Sequence, residues 1–113
     1  MKTMEALFID GPAGRLFAIH HAAAPHCRQG LGLVYLPPFA EEMNRSRRMA
    51  ALQARALAAL GIDVLLLDLF GTGDSAGDFR DARWEIWRED AMAAVAWLGA
   101  RCGGRVGLWG LRL

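Results

Sequence analysis

Two apolar runs constrain this chain most: Leu31 to Leu36, and Ile62 to Phe70 with Val64-Leu65-Leu66-Leu67 inside it. Neither alternates polar with apolar residues over its centre, so each reads as a strand covered on both faces. A helical stretch separates them. Two such strands joined by a helix pair in parallel through a right-handed crossover. A second helical stretch then leads to a last strand, Arg105 to Trp109. Ahead of all this, Met4 to Ile9 and Leu16 to His20 flank the turn cluster Asp10-Gly11-Pro12-Ala13-Gly14 and read as a β-hairpin. The order is β-β-β-α-β-α-β, an α/β chain with a mostly parallel sheet after its opening hairpin.

The helices carry their own signals. Asn44 is placed to cap the first, which should run to about Leu60 with Met49, Leu52, Ala56 and Leu60 as its apolar stripe. Arg47, Arg48 and Arg55 lie mainly off that stripe and read as a solvated face. Gly61 suits the C′ position. The second helix should start near Asp81 or Ala82 and reach about Ala100, with Trp84, Trp87, Ala91, Val95 and Leu98 as its stripe; Gly103-Gly104 breaks it.

Composition excludes several classes. The chain has 113 residues, room for one domain. It is 54% hydrophobic and 22% charged, enough for a core and too apolar for disorder. Its net charge of +1 lacks the basic excess of a nucleic-acid binder. Twelve arginines against the single lysine Lys2 read as the codon bias of a GC-rich, bacterial genome. No uncharged stretch approaches the roughly 20 apolar residues of a membrane-spanning helix. Glu5 interrupts any signal-peptide core, which points to the cytoplasm. There Cys27 and Cys102 are expected as reduced thiols, with no zinc-type spacing to His or Cys.

Chemistry-bearing residues are few. His20, His21 and His26 fall in or beside the hairpin and its following loop, and His26 beside Cys27 is a poor dyad because sequence neighbours rarely aim at each other. Gly71-Thr72-Gly73-Asp74-Ser75-Ala76-Gly77 has glycine spacing near that of a dinucleotide loop. However, the helix starts too late, the loop follows the wrong strand, and Asp74 and Asp78 would repel phosphate. It reads as a structural turn, with Ser75 a turn residue. Trp109-Gly110-Leu111-Arg112-Leu113 closes a strand with the spacing of a nucleophile elbow, G-x-Nuc-x-G, whose tight turn needs a glycine where Gly110 stands.

Taken together, the chain resembles the N-terminal half of an α/β-hydrolase. The resemblance rests on Asp68-Leu69-Phe70-Gly71-Thr72-Gly73-Asp74-Ser75, similar to D-x-x-G-x-G-x-S after the fourth strand, and on Trp84, Asp90, Ala93, Ala94, Trp97 and Leu98 in the helix before the elbow. Pro37 to Arg48, with Leu108 to Leu113, is similar to the second type of exosortase-A-system-associated hydrolase. The resemblance implies a partial hydrolase domain over residues 1–113, truncated at the elbow. It implies acyl-bond hydrolysis as the ancestral activity, with a small acyl or anionic molecule as substrate and neither cofactor nor metal. Pro37 and Pro38 have no N–H, so the first possible donors of that loop are Phe39 and Ala40; the resemblance assigns the oxyanion-hole backbone N–H groups to Phe39 and Leu113, and Glu41 and Glu42 read as solvated carboxylates at a helix start.

Arg112 departs from that pattern. A guanidinium stays protonated and offers no lone pair to a carbonyl. Three readings stay open: a non-catalytic relative, a nucleophile from elsewhere, or an Arg112 that holds an anionic group. The acid and histidine of a triad would follow the elbow. A chain ending at Leu113 is therefore expected to be inactive alone, poorly stable, and exposed along its last strand.

Overall fold

The computed structural model describes residues 4–36 and 41–110. Strands β1 (Met4–Asp10) and β2 (Arg15–His21) form the hairpin, β3 (Leu31–Leu36) leads to helix α1 (Glu41–Ala59), and β4 (Ile62–Leu67) leads to helix α2 (Trp84–Cys102) and β5 (Arg105–Gly110). Short 3-10 turns occupy Pro25–Cys27 and Phe79–Asp81. The five strands make one sheet in the order β1-β2-β4-β3-β5. The hairpin joins β4 antiparallel, whereas β3 pairs in parallel with β4 on one side and β5 on the other. The expected α/β-hydrolase arrangement is therefore present.

Strand alternation sorts the core into two faces. Leu16, Ala18, Val34, Leu65 and Leu67 point to the α2 side and pack with Ala94 and Leu98. Phe17, Ile19, Tyr35 and Leu66 belong to the opposite, α1 side. Burial of these side chains at about 25 cal/mol per Å² is what holds the helices to the sheet.

Both helical stripes differ from expectation. In α1 the buried row is Ala50, Ala54 and Ala58, whereas Met49 is 67% exposed and Leu52 and Leu60 are also exposed. Small side chains let this helix sit close to the sheet, and the larger residues are displaced to its flanks. The helix begins at Glu41, so Asn44 lies inside its first turn rather than capping it. Acidic residues at a helix start are favoured by the macrodipole. In α2 the buried row is Asp90, Ala94, Leu98 and Cys102, one residue in each successive turn. Trp84 opens this helix and is 70% exposed, and the residues before it, Phe79–Asp81, form the 3-10 turn. Trp87 and Val95 flank the core.

Gly61 closes α1 with φ +95°, and a side chain there would strike the Cys27 carbonyl, so the position admits only glycine. The strand β4 ends at Leu67, three residues before the apolar run does. Both cysteines are free thiols. Strand β5 forms one edge of the sheet, with Leu108 59% exposed. Among the described residues, no helix is long and apolar enough to cross a membrane.

Candidate active site

In open sheets of this kind, sites form at the carboxyl ends of parallel strands, where successive crossovers diverge. The crossover after β3 goes to β4, and the crossover after β4 passes back beyond β3 to β5, so β3 and β5 end side by side. Leu36 and Gly110, the last residues of the two strands, are register partners. One step below, Tyr35 pairs with Trp109, their rings 4.6 Å apart between centroids. The segments continuing from Leu36 and Gly110 contain Phe39, Arg112 and Leu113, all outside the described residues.

Next to this pair, the loop after β4 is fixed by its own Asp68 and Ser75 side chains together with an α1 side chain and a β2 backbone N–H. Asp68 Oδ2 accepts from Arg47 Nη2 at 3.2 Å and from the Asp74 backbone N–H at 3.0 Å. Gly73 has φ +50°, and a side chain there would run into the Asp68 carboxylate and the Arg47 guanidinium. The Ser75 hydroxyl donates to the Asp68 carbonyl and accepts the Phe17 N–H at 2.7 Å. Ser75 is thus a structural turn residue, as its position suggested. Arg47 is not part of a solvated face: it crosses from α1 to the end of β4.

A second layer supports the loop from α2. Asp90, fully buried, accepts the Phe70 N–H at 2.9 Å, and Trp87 Nε1 donates to the Phe70 carbonyl at 2.8 Å. Burial raises the Asp90 pKa and the Phe70 N–H opposes the rise; Glu89 adds a smaller upward push. The D-x-x-G-x-G-x-S segment therefore serves as a scaffold. No helix begins at its glycines, which removes the geometry a dinucleotide would need.

The remaining polar cluster sits at the opposite, amino end of β4. Asp63 is buried and accepts from His20 Nε2 and the Ala23 N–H, each at 3.1 Å, with Arg28 Nη2 3.5 Å from its other oxygen. The His20 ring meets Trp97 edge-on at 5.2 Å, and Arg101 lies over the Trp97 ring. Its place at the wrong end of the sheet assigns this cluster to stability. His21 points to the α1 side, and its pKa is lowered by burial, then by Arg55 and His20. The Cys27 thiol turns to the carbonyls of Ala24 and Ala59 rather than forming a dyad with His26. Among the described residues, no group of three or more His, Cys, Asp and Glu could hold a metal ion.

Neither the Arg47–Asp68 nor the His20–Asp63 contact was assigned from sequence. The available signal was face parity. Arg47 lies three residues before Ala50, on the row that continues through Ala54 and Ala58, and Asp63 and His20 share the parity of Leu65, Leu67 and Ala18.

Known structures have the same architecture. XC6422 from Xanthomonas campestris, described as an α/β serine hydrolase without a lid, superposes with a TM-score of 0.80 at 26% identity over 98% of this chain and 51% of its own. An α/β serine hydrolase homologue from Coxiella burnetii gives 0.76 at 21% identity over 98% and 53%. Est1E from Butyrivibrio proteoclasticus, solved with ferulic acid, gives 0.70 at 22% identity over 93% and 42%. The chain thus spans about half the length of the first two structures. A search of curated proteins gives no match. Residues 28–111 match the sequence model of the X-Pro dipeptidyl-peptidase (S15 family). That match runs from the approach to β3 through the end of β5, so the chain belongs to the S15 family, on an α/β-hydrolase fold.

Proposed function

We propose that residues 1–113 supply the first half of an α/β-hydrolase catalytic domain, acting on acyl bonds: an ester, a thioester or an amide. The observation that carries this is the register of Leu36 with Gly110, because it sets the ends of β3 and β5 beside each other. On this reading the Phe39 and Leu113 backbone N–H groups face the oxyanion and residue 112 stands at the attacking position. The S15 family is named for a dipeptidyl-peptidase, and Est1E was solved with ferulic acid. The family match supports chemistry at an acyl carbonyl.

Arginine at position 112 cannot form an acyl-enzyme. The chain alone is therefore inactive toward esters. The same arginine favours a second reading, in which the hydrolase scaffold is an accessory protein and the guanidinium fork holds a carboxylate or phosphate of an acyl or sugar-linked ligand. The likeness of residues 37–48 and 108–113 to the second type of exosortase-A-system-associated hydrolase supports a place beside bacterial exopolysaccharide export, on the cytoplasmic side.

Short acyl esters offered to the full-length protein, and to the same protein carrying Arg112→Ala, separate these readings. Turnover lost in the variant makes Arg112 a participant in hydrolysis, although not the nucleophile. Absence of turnover, with anion binding lost in the variant, establishes the accessory role. Anion binding unchanged in the variant, without turnover, removes Arg112 from both.

A further inference from the structure

We propose that the groove between α1 and the opening hairpin receives an amphipathic helix of a partner protein, apolar face down, with acidic residues along the edge that meets Arg48 and Arg55. The hairpin register pairs Met4 with His21, Ala6 with Ile19 and Phe8 with Phe17, so these residues share the face of the sheet on which α1 lies. The helix packs mainly over β4 and leaves the hairpin bare: Met4 is 56% and Phe8 48% exposed. Two hollows follow each other along this flank. One, of about 280 Å³, lies over Phe17, Ile19 and Leu66 with Arg48 and Ala51 beside it. The other, of about 510 Å³, lies over Met4 and His21 with Arg55 and Ala58 beside it.

Both hollows are walled by one flank of α1, because Arg55 follows Arg48 by seven residues, about two helical turns. They therefore form a single groove. From Arg48 to Ala59 it runs about 16 Å, the length of roughly three helical turns. An apolar sheet face is normally buried under a helix. The hairpin face is apolar, lies beside α1, and is left open by it. Apolar anchors at i, i+3, i+4 and i+7 of an incoming helix suit such a groove. A hollow floor beside a raised helix favours a rod over the flat surface of a bilayer.

Charge selects the edge of the partner. After Glu42, α1 carries Arg45, Arg47, Arg48 and Arg55 but no acid. Asp68 engages Arg47. Arg48 and Arg55 are exposed, and neither forms an ion pair among the described residues. Across the groove, Asp10 and Arg15 are register partners of opposite sign, and Arg15 lies over the Phe8 ring. The unmatched charge on the rim is thus positive. Carboxylates seven residues apart on the partner helix would meet both arginines, whereas lysines there would be repelled. This inference does not rest on the hydrolase reading: the groove lies on the hairpin side of α1, whereas β3 and β5 end toward the other edge of the sheet.

Fluorescence anisotropy with the whole chain tests it. The probe is a labelled helical peptide of about five turns, with leucine along one face and glutamate at two edge positions seven residues apart. Two comparison peptides carry lysine for both glutamates or serine for the leucines. The glutamate peptide binds, and each comparison peptide binds at least tenfold more weakly. Arg48→Glu with Arg55→Glu reverses the preference for glutamate over lysine. Arg83→Glu with Arg88→Glu, an equal change of net charge placed at α2, leaves that preference in place. Absence of binding by the glutamate peptide, equal binding by either comparison peptide, or a preference unchanged by the α1 pair overturns the proposal. A preference reversed equally by the α2 pair overturns it as well. So does binding to phosphatidylglycerol vesicles that the α1 pair abolishes, which would make this face a membrane surface.

Discussion

The Ser75 hydroxyl accepts the backbone N–H of Phe17 at 2.7 Å, across 58 residues of sequence, and so joins the loop after β4 to the opening hairpin. Its own proton goes to the Asp68 carbonyl. Ser75→Ala removes both bonds and strands a half-buried N–H. We expect a loss of about 2 kcal/mol, the scale for leaving such a donor unmade. Urea unfolding measures it; a change below about 0.5 kcal/mol, the usual range of an uninvolved surface substitution, would show that the loop holds without the latch.

Gly73 is the other fixed point of that loop. Gly73→Ala combines a left-handed backbone with a clash against the Asp68 carboxylate and the Arg47 guanidinium. It should destabilise the fold by more than Asp74→Ala at the next, exposed position, which keeps the backbone N–H that Asp68 accepts. Parallel urea titrations of the two variants give the comparison, and equal midpoints would count against the clash.

Stability should respond to pH at two buried groups of opposite sign. His21 has a folded-state pKa below its ordinary 6.5, so its contribution is full above that value and is lost as pH falls through the lowered one. His21→Leu should flatten this acid-side loss. Asp90 has a folded-state pKa above its ordinary 3.8, so its contribution is full below that value and is lost as pH rises through the raised one. Asp90→Asn keeps an acceptor for the Phe70 N–H and should remove that loss. Denaturation midpoints across pH for parent and variants decide it; slopes unchanged by either substitution would contradict the assignments.

Leu108 lies exposed on the edge strand β5. Unpaired apolar edges template association. The chain should therefore self-associate with rising concentration, and Leu108→Lys should reduce this, as sedimentation velocity would report. Association unaffected by the lysine would move the contact elsewhere.

Much of this architecture was readable from the residues. Val64 to Leu67 lacks alternation because α1 and α2 cover the two faces of β4, and the same lack of alternation in Leu31 to Leu36 pointed to its parallel pairing with that strand. The helix faces were harder. Methionine and leucine are more apolar than alanine, so Met49, Leu52 and Leu60 form the more obvious stripe, yet close approach to the sheet selected Ala50, Ala54 and Ala58. Polar pairs were hidden for a related reason: Arg47 with Asp68 and His20 with Asp63 lie 21 and 43 residues apart and meet only once the sheet order is fixed. The candidate positions Phe39, Arg112 and Leu113 rest on an elbow spacing and on a loop that follows β3 in sequence. Their roles depend on groups that neighbour them in space, which no local spacing specifies.

The most direct test is the initial rate of p-nitrophenyl butyrate hydrolysis by the purified chain, measured against buffer over a range of ester concentrations. With arginine where an attacking group would stand, the rate should equal the buffer rate at every concentration. Saturable turnover above buffer, retained through purification and proportional to protein, would contradict the inactive reading of Arg112.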